Sequence, residues 1–147
     1  MLFRKTTQAD IDFVANNSIS RGICNKQPEF IDYCYTLEHE GKPLGIGGFR
    51  LINSTTAWTW TDWTCLAGAH IIVVYRTVKE WLALFAEEHK LKRLQAYIES
   101  DFPEAIRMVE RLGFHRESIM LNFVGNRPVY LYVKFYGVSD DTKSKLE

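Results

Sequence analysis

The sequence predicts one α/β domain of the α+β kind, a sheet flanked by helices. Short runs rich in β-branched and aromatic residues outnumber the helical stretches, glycine-containing turns fold two pairs of them into hairpins, and amphipathic segments separate the others. At 147 residues the chain is long enough for one sizeable core. The domain is expected over residues 1–137, followed by a short polar tail at 138–147.

Leu2 to Lys5 reads as a strand. Thr6 and Thr7 then supply a helix start signal, followed by Ile11, Phe13 and Val14 at near-helical spacing. Ser18 to Glu29 carries glycine, asparagine and proline with weak periodicity and reads as a loop or short irregular helix. Phe30 to Glu38 and Leu44 to Ile52 form a hairpin about Glu40-Gly41-Lys42, with Gly45, Gly47 and Gly48 marking a bulge, a kink or a close backbone approach.

After the Asn53-Ser54-Thr55 turn, AWTWTDWTCL is a strand of residues that suit a pleated surface. Ala67-Gly68-Ala69 breaks it, and from His70 to Lys90 apolar residues recur at the 3.6-residue period, giving the longest helix. Leu94 to Ile98 is a further strand. Pro103 opens a second amphipathic helix with Asp101 as its cap, Ala105, Ile106, Val109 and Leu112 as its apolar face and Gly113 as its stop. Strands near Ser118 to Val124 and Val129 to Phe135 close the chain about Gly125-Asn126.

Lysine plus arginine balance aspartate plus glutamate at 18 each, so no global field draws the protein to nucleic acid or to an anionic membrane. Cys24, Cys34 and Cys65 are odd in number and widely spaced, which argues against a disulfide framework and against a bound metal. With no signal-like amino terminus and no membrane-length apolar run, the expectation is a soluble, cytoplasmic protein.

Three segments, FRKTTQADIDFV, LEHEGKPLGIGGF and RLQAYIESDFPEAIRMVERLGFHRE, resemble the first strand and helix, the central hairpin and the cleft-closing strand and helix of the GNAT superfamily of N-acetyltransferases. More narrowly, LQAYIESDFPEAIRMVERLGF followed by a glycine turn and YLYVKF resembles GNAT-like proteins of bacteriophages and prophages. The resemblance implies a mixed, mostly antiparallel sheet splayed at its two central strands. It implies acetyl-CoA as cofactor and an amine of a small molecule or protein as acceptor. It equally allows a non-catalytic phage protein in the virion or bound to a host protein. Pairing into a homodimer through the last hairpin fits either role.

By that resemblance the thioester arm lies between Ala57–Leu66 and Leu94–Ile98, held by backbone from Trp63, Thr64, Cys65 and Leu66. The pyrophosphate then meets Gly68, Ala69, His70 and Ile71 at the start of the long helix, where unpaired N–H groups favour negative charge. Acyl transfer also needs a route for the amine's proton. Strand alternation puts Trp58, Trp60, Asp62 and Thr64 on one face, which makes Asp62 the candidate proton relay, or else an exposed strand aspartate or one bonded to a neighbouring threonine. Trp60 is a candidate for the acceptor pocket or for the core. Glu99 either binds a cationic substrate or faces water, and His70 either bonds a phosphate or is a neutral surface residue. Cys65 reads as a small buried hydrophobe; Tyr97 and Tyr132 are proton donors by chemistry alone.

The sequence departs from the family at two places. Its pyrophosphate loop of Arg or Gln, two residues, Gly, one residue, then Gly or Ala is matched here only by Gly68, with Cys65 and His70 at the outer positions. In the next helix the family's asparagine and tyrosine are Phe102 and Val109, and valine cannot protonate a thiolate.

Overall fold

The computed structural model describes residues 1–19 and 33–137. Seven strands and three α-helices form β1 (Leu2–Lys5), α1 (Gln8–Asn17), β2 (Cys34–His39), β3 (Lys42–Leu51), β4 (Thr56–Trp63), α2 (Ile71–Glu88), β5 (Arg93–Glu99), α3 (Pro103–Arg111), β6 (His115–Val124) and β7 (Arg127–Phe135). The sheet order is β1-β2-β3-β4-β5-β7-β6. Every neighbouring pair is antiparallel except β4 and β5, which are parallel and joined by α2. The mixed, mostly antiparallel sheet is thus the expected one. Cys24 and most of the expected loop at Ser18 to Glu29 lie outside the described residues, as does the polar tail.

The start of α1 is a reciprocal cap: the Asp10 amide donates to Thr7 Oγ1 and the Thr7 amide donates to Asp10 Oδ2. One face of the sheet packs Trp60, Ile46 and Cys34 against Val14 of α1. The other buries Val78, Trp81, Leu82 and Phe85 of α2 against Phe49, Ala57, Leu94, Ala96, Ile98 and Tyr132.

The β3 glycines make room for tryptophans. Gly45 lies opposite Trp63 and Gly48 opposite Trp60; a Cβ at Gly45 would fall 2.2 Å from Trp63 Cε3, and one at Gly48 2.9 Å from Trp60 Cζ2. Close approach is therefore a reason for these glycines, and the expected bulge is present too, because the β2–β3 register slips between Leu37 and Glu38, opposite Gly45 and Pro43.

Strand ends shift by a few residues from the sequence reading, and two boundaries near the site differ in kind. β4 ends at Trp63, and Cys65–His70 form a 3-10 helix that runs directly into α2. The N-cap of α3 is Phe102, without a side-chain cap bond. Asp101 instead accepts from Arg127 Nη2 at 2.7 Å, because the β6–β7 hairpin brings a full guanidinium charge within reach, and a charged partner outcompetes a lone amide.

Candidate functional site

β4 and β5 pair only over Thr56–Arg93, Ala57–Leu94 and Trp58–Gln95. Beyond that point the strands separate, although β4 continues to Trp63 and β5 to Glu99. The residue opposition of β3 and β4, with the Thr64 amide donating to the Leu44 carbonyl at 2.8 Å, turns the backbone of alternate residues Thr59, Thr61 and Trp63 toward the gap. The Trp63 carbonyl accepts from the Ile19 amide at 2.9 Å. Among the described residues, the Thr59 carbonyl and the backbone of Thr61 lie beyond the last pairing with β5.

The gap opens into a cavity of about 280 Å³. Thr59, Trp60, Thr61 and Trp63 border it from β4, and Ala96, Tyr97, Ile98 and Glu99 from β5. It reaches the α2–α3 side of the sheet through Val74, Val78, Ala105, Met108 and Val109, and the α1 side through Ile19 and Trp60. This explains an oddity of α3. Its apolar stripe of Ala105, Ile106, Met108 and Val109 packs on the core, yet no residue of the helix is fully buried, because part of the stripe looks into a hollow rather than onto atoms.

Of the expected site residues, Trp60, Trp63, Gly68, Ile71 and Glu99 border the cavity. Trp63 Nε1 is buried with no acceptor among the described residues. Glu99 is buried, not water-facing, and accepts from Arg127 Nη2 at 3.3 Å. The β7 arginine that neutralises it lies 28 positions away in sequence, which is why burial of this carboxylate was not legible locally.

Asp62 is buried and accepts a hydrogen bond from the Ser18 hydroxyl, whose donor comes from the end of α1 rather than from a neighbouring threonine. Neither Asp62 nor Ser18 borders the cavity, although Ile19, next in the chain, does. Tyr97 borders the cavity and touches Trp58 and Phe123, with ring centroids 6.1 and 5.1 Å away. Tyr132 is fully buried away from the cavity, donating to Glu110 Oε1 at 2.9 Å. Burial, more than the nearby Glu110, raises the Tyr132 pKa against the opposing effect of Arg116.

A 3-10 turn precedes α2. Thr64 caps the continuous helical segment: its Oγ1 accepts from the Leu66 amide at 3.3 Å and its carbonyl from the Ala67 amide at 3.1 Å. Cys65 is exposed rather than buried, because the chain has already left the sheet. Leu66 and Ile71 are exposed as well. His70 lies against His39 with centroids 4.4 Å apart and ring planes tilted by 52°, and makes no capping bond; Ala69 beside it is exposed.

The fold is that of the GNAT acyltransferases. An acetyltransferase of the GNAT family from Bacillus anthracis superposes with a TM-score of 0.70 at 16% identity, over 90% of this chain and 93% of that one. The F149A mutant of the spermidine N-acetyltransferase SpeG from Vibrio cholerae gives 0.73 at 14%, over 92% and 95%. Ard1 from Thermoplasma volcanium gives 0.73 at 14%, over 91% and 96%. At these identities the likeness is one of architecture. No protein-family model and no curated protein matches the sequence. Among the described residues no helix is long and apolar enough to cross a membrane, and no cluster of metal-ligating side chains occurs.

Proposed function

We propose that the protein transfers an acyl group, acetyl in the simplest case, from a pantetheine thioester such as acetyl-CoA to an amine of a small molecule or protein. The observation that carries this reading is the wedge between β4 and β5, open along an unpaired edge and bordered from both faces of the sheet. A thioester entering from the α2–α3 side and an amine from the α1 side would meet there. The amine nitrogen bonds to the acyl carbon, the carbon–sulfur bond breaks, and the proton released by nitrogen ends on the sulfur.

The chain supplies parts for this. Thr59 and Thr61 present backbone groups to the amides of an extended arm, and the buried Trp63 N–H needs a carbonyl to bond. A lysine-like amine, with a reference pKa of about 10.4, must lose a proton before it attacks. Glu99, the buried one of the carboxylates bordering the cavity, would receive the cationic acceptor; Asp62, bonded to Ser18 beside the cavity residue Ile19, would carry the proton away.

At the pyrophosphate end the family's loop is not kept: Cys65 stands in place of Arg or Gln, and His70 in place of the final Gly or Ala. That mismatch, with Val109 at the family's tyrosine position, supports a second reading. There the protein is a catalytically silent phage component in the virion, or a binder of a host protein. A homodimer would form through β6, an edge strand exposing Ile119, Leu121 and Phe123. Calorimetric binding of acetyl-CoA, with turnover of an amine lowered in Asp62→Asn and Glu99→Gln, is the expected result in the cytoplasmic enzyme. No heat at millimolar acetyl-CoA together with capture of a virion or host component would replace it with the second reading.

A further inference from the structure

Resting on the reading that the wedge receives a pantetheine thioester, we propose that the acyl group is an alkyl chain of about six to eight carbons, housed in the closed end of the cavity, rather than acetyl. The cavity has an open end and a closed one. Its border is exposed at Gly68, Ile71 and Glu104, whereas Val78, Leu82, Ala96, Leu112 and Phe114 border it and are buried. The buried set shares one core cluster with Ala57 and Leu94, which still pair across β4 and β5, so this end lies toward the apex of the wedge. An arm entering from solvent keeps its phosphate end at the mouth. The group on its sulfur therefore leads toward the closed end.

No side chain at that end offers a polar group a partner. The buried set is hydrocarbon throughout, and the neighbouring Thr59 donates its hydroxyl to the Gly48 carbonyl at 3.1 Å. The arm's amides find partners along the strands instead, at the Thr59 carbonyl, Thr61 and Tyr97. A water molecule among the buried side chains would lack the polar neighbours that hold one, and methylene groups are what such a surface favours. Volume sets the length of chain. An apolar cavity of about 150 Å³ takes up benzene, so one of about 280 Å³ has room for about eleven carbon-sized atoms. The sulfur and the first links of the arm fill about four of these places, and an acetyl group would leave about five empty; a chain of about six to eight carbons fills them. Met108 and Val109 of α3, half-buried at the cavity border, are a flexible side chain and a small one, which suits a passage for such a chain.

Calorimetry with acetyl-, butyryl-, hexanoyl-, octanoyl- and dodecanoyl-CoA tests this. Kd should fall by about two- to four-fold for each added methylene up to hexanoyl or octanoyl, at least about ten-fold from acetyl in all, and then level or rise at dodecanoyl. Ala96→Leu, which puts a larger side chain into the closed end, should cut the ratio of octanoyl to acetyl affinity by at least about ten-fold, with Tm reporting that the variant is folded. Hexanoyl- and octanoyl-CoA binding no tighter than acetyl-CoA overturns the proposal and leaves the acyltransferase reading standing. So does a gain that continues through dodecanoyl, the mark of unspecific adsorption, or a folded Ala96→Leu protein that keeps the wild-type ratio. If the variant does not fold, the wild-type series decides. Failure of every acyl-CoA to bind overturns both.

Discussion

Replacing Gly45 with alanine probes how the sheet sets the shape of the site. The new Cβ would lie 2.2 Å from Trp63 Cε3, 2.7 Å from Cζ3 and 2.8 Å from the Asp62 carbonyl oxygen. Carbon contacts are comfortable from about 3.5 Å, so the indole must retreat by about 1.3 Å, and the carbonyl behind it limits how far β3 can yield. Overpacking of this kind costs about 1–3 kcal/mol, or a fall of about 3–10 °C in Tm for a domain of this size.

Urea denaturation followed by tryptophan fluorescence reads the cost directly. Gly68→Ala is the control: its Cβ meets nothing within 4 Å and its backbone is not left-handed, so it should be neutral or stabilising by up to about 1 kcal/mol. In a double-mutant cycle, Trp63→Ala should absorb most of the Gly45→Ala penalty, because the clash has gone. Because Trp63 also borders the cavity, Gly45→Ala should weaken donor binding too. A Gly45→Ala protein as stable as Gly68→Ala, or a penalty that persists without the indole, would refute the packing argument.

Ala105→Trp, on the half-buried face of α3 that looks into the cavity, should reduce acetyl-arm binding by more than about ten-fold while Tm holds or rises, since it fills a hollow. Burial would raise the Asp10 pKa, but hydrogen bonds from Arg4, the Thr7 amide and the threonine hydroxyls outweigh it and hold the carboxyl at about 2. The folded value lies below the ordinary 3.8, so its contribution of about 2 kcal/mol is present above pH 4 and fades as pH falls toward 2. Wild type and Asp10→Asn should therefore differ in urea midpoint at pH 7 and converge near pH 2. Arg127→Ala leaves the buried Glu99 without its cation and should cost about 1–3 kcal/mol at neutral pH, largely recovered by adding Glu99→Gln.

What the sequence made legible is what local physics decides. The 3.6-residue pattern placed α2, Pro103 and Gly113 bracketed α3, and the glycine turns placed the hairpins. The splay came from resemblance alone, because the failure of two strands to pair leaves no composition of its own: Thr59 and Thr61 look like any threonines in a strand. The 3-10 turn at Cys65 was hidden because Thr64-Cys65-Leu66 is as compatible with a strand end as with a capped helical start; only the Thr64 bonds decide it. Glu99 was ambiguous for the same reason, its partner arriving from β7 through a tertiary contact.

Backbone amide shifts in a nitrogen-15 NMR titration with S-acetyl-4′-phosphopantetheine look at the wedge itself. Binding between the strands predicts saturable shifts, and slowed hydrogen exchange, concentrated at the gap-facing amides of Thr61, Trp63 and Tyr97, with the β6–β7 hairpin unmoved. A titration that leaves those three amides unchanged at millimolar ligand, or shifts only residues remote from the gap, would contradict it.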